Sequence, residues 1–335
     1  MRRNRAALSL LLLALLLAGC GGAGTTEQEA PVVSKTNFQM DTVVTITLYD
    51  WSDESTIEQA FREIDRLEAL LSVQKEGSDL DRLAKAAGRD WVDVSPETQE
   101  VLELAREFHT LSGGRFDVTA GPLIQLWDVN GGGHYPTEEE LAEVLPLIGG
   151  EDLLVEEGRA FLRRPGMVAD LGAVAKGYIA DRVKDLLVKQ GVEHAILDLG
   201  RNILLIGGKT EGTPFRIGVQ DPNQEEGKIL AVVEAKDMSV VTSGVYERYF
   251  LYEGKRYHHI LDPFTGFPAD NGLAGVSILS DESARGDALS TTCLLLGEEK
   301  GMELIESLDG VEALFVFEDG ETRTSSGFDA YLAPS

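Results

Sequence analysis

The spacing of apolar residues changes its period near His194, and that change limits the folds open to this chain. Before it, Ile57, Ala60, Phe61, Ile64, Leu67, Leu70 and Leu71 recur at helical spacing and mark a helix over 53–71. Ser95-Pro96-Glu97 has the order of a capping serine and a first-turn proline, and opens a second helix reaching about Leu111. Thr137-Glu138-Glu139-Glu140 has capping-box spacing and starts a third; 174–189 gives a fourth, broken at Gly191. After His194 the chain breaks into short apolar runs punctuated by Gly and Pro. The runs 195–199, 203–206, 215–219, 229–235, 239–242, 246–252, 256–261 and 275–279 read as strands, like the early run 43–49. A helix carrying Asp287 follows, stops at Gly297 and restarts over 298–307, and a last strand covers 313–317. Helices and strands are interspersed without regular βα alternation, so the expected class is α+β, not doubly wound.

With 335 residues, 43% of them hydrophobic, the chain can bury one large core or two smaller ones. Its formal net charge of −27 repels nucleic-acid phosphates over most of the surface and excludes them as partners. The N-terminus reads as an export signal. Arg2, Arg3 and Arg5 precede an apolar stretch over 6–18 that is short for a spanning helix. It ends in Leu17-Ala18-Gly19-Cys20, which looks like a bacterial lipobox, where cleavage precedes the Cys and the Cys carries lipid. The alternative is a plain signal peptide that happens to hold a Cys. The expected organisation is a signal peptide over 1–19, a flexible tether over 20–35 and one folded domain over 36–335. Lipidation of Cys20 would place the protein in the cell envelope, anchored on the extracytoplasmic face of a membrane. It would also leave Cys293 without a disulfide partner; among Leu294, Leu295 and Leu296 that thiol reads as a buried small hydrophobe.

Asp287 and Thr291 stand four residues apart, hence on one helix face near its start. A carboxylate and a hydroxyl aimed at one place suit a magnesium ion, and the helix N-terminus favours a phosphate beside it. On spacing alone an ordinary helix face, with Thr291 bonded to its own turn, is the commoner outcome. Asp170-Leu171-Gly172-Ala173-Val174-Ala175-Lys176-Gly177 puts small residues at a helix entry. Backbone there can approach a phosphate or metal with Lys176 reaching back, or the small residues simply allow tight packing. Arg115-Phe116-Asp117 follows a glycine pair and reads as an exposed loop, although a lone Phe more often plugs a core. His258 and His259 fall in a strand and face opposite sides, so at most one serves a site directly.

Five ordered segments carry a resemblance. They are Ser112-Gly113-Gly114-Arg115-Phe116-Asp117-Val118-Thr119-Ala120-Gly121, the Asp170–Tyr178 stretch, Thr242-Ser243-Gly244-Val245-Tyr246-Glu247-Arg248-Tyr249, His258-His259-Ile260-Leu261-Asp262-Pro263 and Asp287-Ala288-Leu289-Ser290-Thr291. Together, from about Thr36 to about Phe317, the chain resembles the ApbE family, the FAD:protein FMN transferases. The resemblance implies an α+β, T-fold-related architecture with predominantly antiparallel sheets. It implies magnesium-dependent transfer of FMN from FAD to a Thr or Ser of an acceptor flavoprotein, with AMP released. The implied acceptors are subunits of membrane redox complexes. By the same resemblance a carbonyl at Ala173 joins Asp287 and Thr291 around the metal, and Asp170 and Lys176 contact the flavin nucleotide. Met40, Arg115, Phe116 and Asp117 would line the FAD pocket. His258 and His259 would lie at the flavin, His259 as either a ligand contact or the acceptor of the attacking hydroxyl's proton. Three positions depart from the family pattern: no aromatic follows Ser72, Arg201 replaces a usual Gly, and Val245 a frequent polar residue. An FAD diphosphatase and a non-catalytic flavin carrier are the alternative activities.

Overall fold

Polar side chains cap four of the eight α-helices among the described residues. The structure, a computed structural model, describes residues 31–225 and 227–334. In chain order the first elements are β1 (Val32–Gln39), β2 (Thr42–Tyr49), α1 (Glu54–Leu71), α2 (Asp79–Ala86), β3 (Val92–Asp93) and α3 (Pro96–Leu111). Then come α4 (Gly121–Trp127), α5 (Glu138–Val144), β4 (Leu153–Glu156), β5 (Arg159–Leu162), α6 (Ala175–Lys189), β6 (Ala195–Leu199) and β7 (Asn202–Ile206). The remainder are β8 (Phe215–Gln220), β9 (Ile229–Ala235), β10 (Ser239–Gly244), β11 (Tyr249–Tyr252), β12 (Lys255–His258) and β13 (Leu273–Ser280), followed by α7 (Ser283–Leu296), α8 (Glu298–Glu306), β14 (Glu312–Phe317) and β15 (Thr322–Thr324). Asp53, Ser95 and Thr137 accept from first-turn amides of α1, α3 and α5, and Thr137 with Glu140 completes the capping box.

The frame is one eight-stranded sheet in the order β1-β2-β6-β7-β10-β13-β14-β15, antiparallel at every ladder. This is the α+β, predominantly antiparallel class expected from the sequence. Helices α1, α6, α7 and α8 cover one face of the sheet. The ribbon β8–β9 covers part of the other, burying Phe215, Ile217, Val219 and Val233 against Leu205, Val240 and Leu279. Covered on both sides, β13 is buried at every residue and is largely apolar, interrupted only by Ser277 and Ser280. On α1, Ile57, Ile64, Leu67 and Leu71 are buried, worth roughly 1.5–3 kcal/mol each. A small sheet, β3-β5-β4, packs with α2 and α3, and the hairpin β11–β12 stands on an aromatic cluster around Trp127.

The tether expected over 20–35 is too long at its C-terminal end. Val32–Lys35 belong to β1, where Val32 pairs with Tyr49 and Lys35 with Ile46, so the compact body begins near Pro31. The expected signal peptide and Cys20 lie outside the described residues. Among those residues no helix is long and apolar enough to cross a membrane.

Candidate active site

The site forms where the N-terminal ends of α6 and α7 meet. Asp287 lies in the first half of α7 and Thr291 just past its middle, on one face as their spacing requires. Asp287 is buried, and its Oδ2 accepts from the Gly177 amide at 2.9 Å. In a helix that starts at Ala175 that amide is one of the first-turn donors with no acceptor in the helix itself, and Asp287 satisfies it. The Ala173 carbonyl, just before the cap, takes no backbone donor among the described residues. Gly177 is needed for the approach, since a Cβ there would stand 2.2 Å from the Ser283 carbonyl oxygen. Thr291 is half-buried, and no bond to its own helix turn occupies its hydroxyl. Its neighbour Ser290 donates to the Asp287 carbonyl at 2.9 Å and accepts from Ser243 of β10 at 2.7 Å, which ties α7 to the sheet.

Cations gather around this carboxylate. Lys176 Nζ lies 4.0 Å from Asp287 Oδ1. Burial raises the Glu247 carboxyl above its ordinary range, opposed by Lys176, Arg201 and Arg248 and reinforced by Asp287. Arg201 sits at φ +72°, a backbone region that favours the Gly usual in the family; its guanidinium covers the Tyr246 ring at 5.0 Å and reaches Glu247 at 3.8 Å.

His259 follows β12 instead of lying inside it, because the strand ends at His258. Its backbone amide and Nδ1 both meet the Arg248 carbonyl, at 3.1 and 3.2 Å. A carbonyl only accepts, so Nδ1 carries the proton and Nε2 keeps its lone pair. Burial, with Arg248 and Lys176 close by, lowers this imidazole to about 3, so it is neutral at physiological pH. His258 is built differently. Its Nε2 meets the Ala269 carbonyl at 3.0 Å and its Nδ1 accepts from the Ile260 amide at 3.3 Å, so both nitrogens are spent on the loop and no polar atom remains for a flavin.

Arg248 also reaches back to the β1–β2 turn, where its guanidinium is 3.5 Å from the Asp41 carbonyl, next to Met40. Asp41 and Arg248 line a polar cleft of about 600 Å³ together with Gln74, Asp128, Asn130 and Gly131. Gln74 lies in the segment after Ser72 that lacks the family's aromatic. Asp170 borders the same cation: burial raises its carboxyl, while Arg248 and the Gly172 amide, bonded at 2.8 Å, lower it.

The Arg115-Phe116-Asp117 loop does not present three side chains to a ligand. Phe116 is 2% exposed and packs 5.8 Å from Phe108 in the main core, the common fate of a lone Phe. Asp117 accepts from Thr119 and from the Gly150 amide and has His109 at 3.5 Å, so its carboxylate ties loops together. Arg115 pairs with Asp262, just beyond His259, and lies over Phe264 at 5.4 Å. The loop thus braces the His259 segment from behind.

Asp170, Lys176, His259 and Asp287 are thereby linked through Arg248 and Lys176, with Thr291 one turn beyond Asp287 on α7, while Met40 and Ala173 pack against the main core. Glu247, Arg248, Ser243 and Ser290 complete the surroundings, though spacing gave them no role. The signal available was a charged Glu-Arg pair inside an otherwise apolar run. Among the described residues no three His, Cys, Asp or Glu side chains converge as a metal cluster; the donors beside Asp287 are a hydroxyl and a carbonyl.

An antiparallel α+β body with a buried carboxylate, two cations and a neutral His at the meeting of two helix starts defines a phosphoryl-transfer type of site. A family model described as the ApbE family matches residues 40–315. A protein named FAD:protein FMN transferase from Klebsiella pneumoniae (strain 342) is 36% identical over 298 residues, 88% of this chain and 92% of the relative. One of the same name from Treponema pallidum (strain Nichols) is 34% identical over 94% of this chain and 92% of its own length. Among solved structures, the flavin transferase ApbE from Vibrio cholerae superposes with a TM-score of 0.82 at 29% identity, over 90% of this chain and 100% of the other. The ApbE protein of Thermotoga maritima gives 0.83 at 30% identity over 91% and 100%. The chain belongs to the ApbE family.

Proposed function

We propose that this protein is an FAD:protein FMN transferase that moves FMN from FAD to a Thr or Ser hydroxyl of an acceptor protein. The observation that carries the reading is the buried Asp287 carboxylate held on the Gly177 amide at the start of α6, with the Thr291 hydroxyl one turn further along α7 and the Ala173 carbonyl without a backbone donor among the described residues. Three hard oxygen donors of different kinds suit magnesium, which takes few protein ligands and completes its shell with water and phosphate. Asp287, Thr291 and the Ala173 carbonyl would hold it. When bound, such an ion neutralises diphosphate charge and orients the phosphorus for in-line attack.

The protein's own groups supply the rest. Lys176 and Arg248 offset the charge of the diphosphate. Nε2 of neutral His259 accepts the proton as the acceptor oxygen bonds to the FMN phosphorus. The bond between the two phosphates breaks and AMP leaves. The polar cleft beside Arg248 is of a size to take part of the nucleotide. Export, lipidation at Cys20 and a membrane redox-complex subunit as acceptor belong to the same reading. They are supported by the N-terminal pattern, and a tether raises local concentration beside a membrane-bound partner.

The test is to incubate the protein with FAD, with or without magnesium and an acceptor protein. Covalent flavin fluorescence on the acceptor, dependent on magnesium and lost in Asp287→Ala, is expected. FMN and AMP released without labelling would replace transfer by hydrolysis, and intact FAD would leave only a carrier. Incorporation of labelled fatty acid at Cys20 in the host tests the anchor.

A further inference from the structure

Neither helix at the site caps itself. Glu282 precedes α7 and Val174 precedes α6, and neither side chain bonds the first-turn amides. Each helix is capped instead by a carboxylate one turn inside the other. Asp287 of α7 accepts from the Gly177 amide of α6 at 2.9 Å. Asp181 of α6 accepts from the Ser283 and Ala284 amides of α7, at 3.0 and 2.8 Å. Asp181 lies four residues after Gly177, and Asp287 four after Ser283, so the arrangement is reciprocal. The helices touch where Gly177 meets the Ser283 carbonyl, and Ser283 Oγ donates to Asn202 of β7 at 2.6 Å, fixing that point to the sheet.

We propose that Asp181 is a positioning residue of the transfer site: by holding the start of α7 against α6, it keeps Asp287 on the Gly177 amide and so fixes where that carboxylate stands. The inference deepens the function proposed above and rests on Asp287 being a working group of that site. Asp181 touches none of the presumed donors and acts only through the two helix starts. Burial pushes its carboxyl up to about 6, with Glu282 raising it and Lys184 lowering it further out, so at neutral pH the fold holds an ionised group there at some cost.

The experiment compares Asp181→Ala and Asp181→Asn with Val183→Ala, a core change on the same helix that lies outside the site. Three quantities are read in the full protein: exchange of the Gly177 amide without metal, the magnesium concentration giving half-maximal transfer, and Tm. Loss of two hydrogen bonds to a charged acceptor should raise Gly177 exchange and half-saturating magnesium about tenfold or more in Asp181→Ala. The rate at saturating magnesium should largely recover, and FAD affinity should hold. Asp181→Asn, which keeps one acceptor oxygen, should fall between. Val183→Ala should lower Tm and move neither other readout. Gly177 exchange and magnesium dependence in Asp181→Ala no different from those in Val183→Ala would overturn the proposal. A wild-type enzyme indifferent to magnesium and to chelator would sink the metal reading alone, because Gly177 exchange and the transfer rate would still judge Asp181.

Discussion

Replacing Gly177 by Ala adds one methyl group at the point where the two helix starts touch. An ideal Cβ there meets the Ser283 carbonyl oxygen at 2.2 Å, the Ser283 carbonyl carbon at 2.6 Å and the Ala284 Cα at 2.7 Å. All three are backbone atoms, so no side chain can swing aside, and α7 must retreat by about 1.2 Å to reach the 3.4 Å of ordinary contact. Overpacking of this kind costs about 1–3 kcal/mol, against about 1 kcal/mol gained when Ala replaces Gly in a helix. The net loss should lower Tm by about 2–4 °C in a chain of this size. Activity should suffer more. Retreat of α7 carries Asp287 from 2.9 Å to roughly 4 Å from the Gly177 amide, beyond hydrogen bonding. Losing a bond to a charged acceptor, about 1.5–3 kcal/mol, corresponds to a ten- to hundredfold slower transfer. The assay is FMN labelling of an acceptor at saturating FAD, beside a thermal melt and a circular dichroism spectrum. A folded Gly177→Ala protein with wild-type rate and wild-type Tm would refute the contact and the reasoning built on it.

Thr291→Val keeps volume but deletes the hydroxyl, so half-saturating magnesium should rise while FAD affinity holds; an unchanged magnesium curve would remove Thr291 from the donor set. His259→Ala should slow transfer by about 10²–10⁴ across pH 5–8, and the wild-type free enzyme should show no inflection near 6.5, because this imidazole titrates at about 3. The same lowered value sets the sign for stability. The group contributes fully above the unfolded value of 6.5, and its contribution is lost as pH falls from there toward 3, at about 1.4 kcal/mol per pH unit. Acid melts of wild type and His259→Ala would show it as a steeper loss in the wild type. Phe116→Ala should cost about 3–5 kcal/mol of stability as a core truncation, with FAD affinity retained at temperatures where it stays folded; a weakened FAD affinity with normal Tm would return Phe116 to the pocket.

The sequence made the long amphipathic helices and the sheet strands legible because each carries its own period or cap. It hid elements whose signals are borrowed. Helix α2 has Ser78 as its cap but only Leu80 and Leu83 as buried apolar residues, too few to show a period. Helix α4 opens on Gly121-Pro122, which reads as a breaker. Strand β1 is mostly exposed at the sheet edge, so its first half, 32–35, has the look of tether in sequence. Tyr246 was read as a strand residue, yet the chain turns so tightly there that its ring lies on Gly244, and β11 begins only at Tyr249. At the site, the Asp287/Thr291 face followed from local spacing. The Asp287–Gly177 and Asp181–Ser283 bonds join residues more than a hundred positions apart, and no local pattern encodes them. The fates of Phe116 and Asp117 depended on which neighbours the loop met.

Helix α7 carries Asp287 and Thr291, yet 11 of its 14 residues are buried. Sites on loops can open, lose activity and close again while the rest of a protein stays folded; this one has its central carboxylate on a helix packed into the core. Heat or denaturant should therefore extinguish activity at the same midpoint as global unfolding, with no folded but inactive stage between. Catalytic competence then doubles as a gauge of native structure.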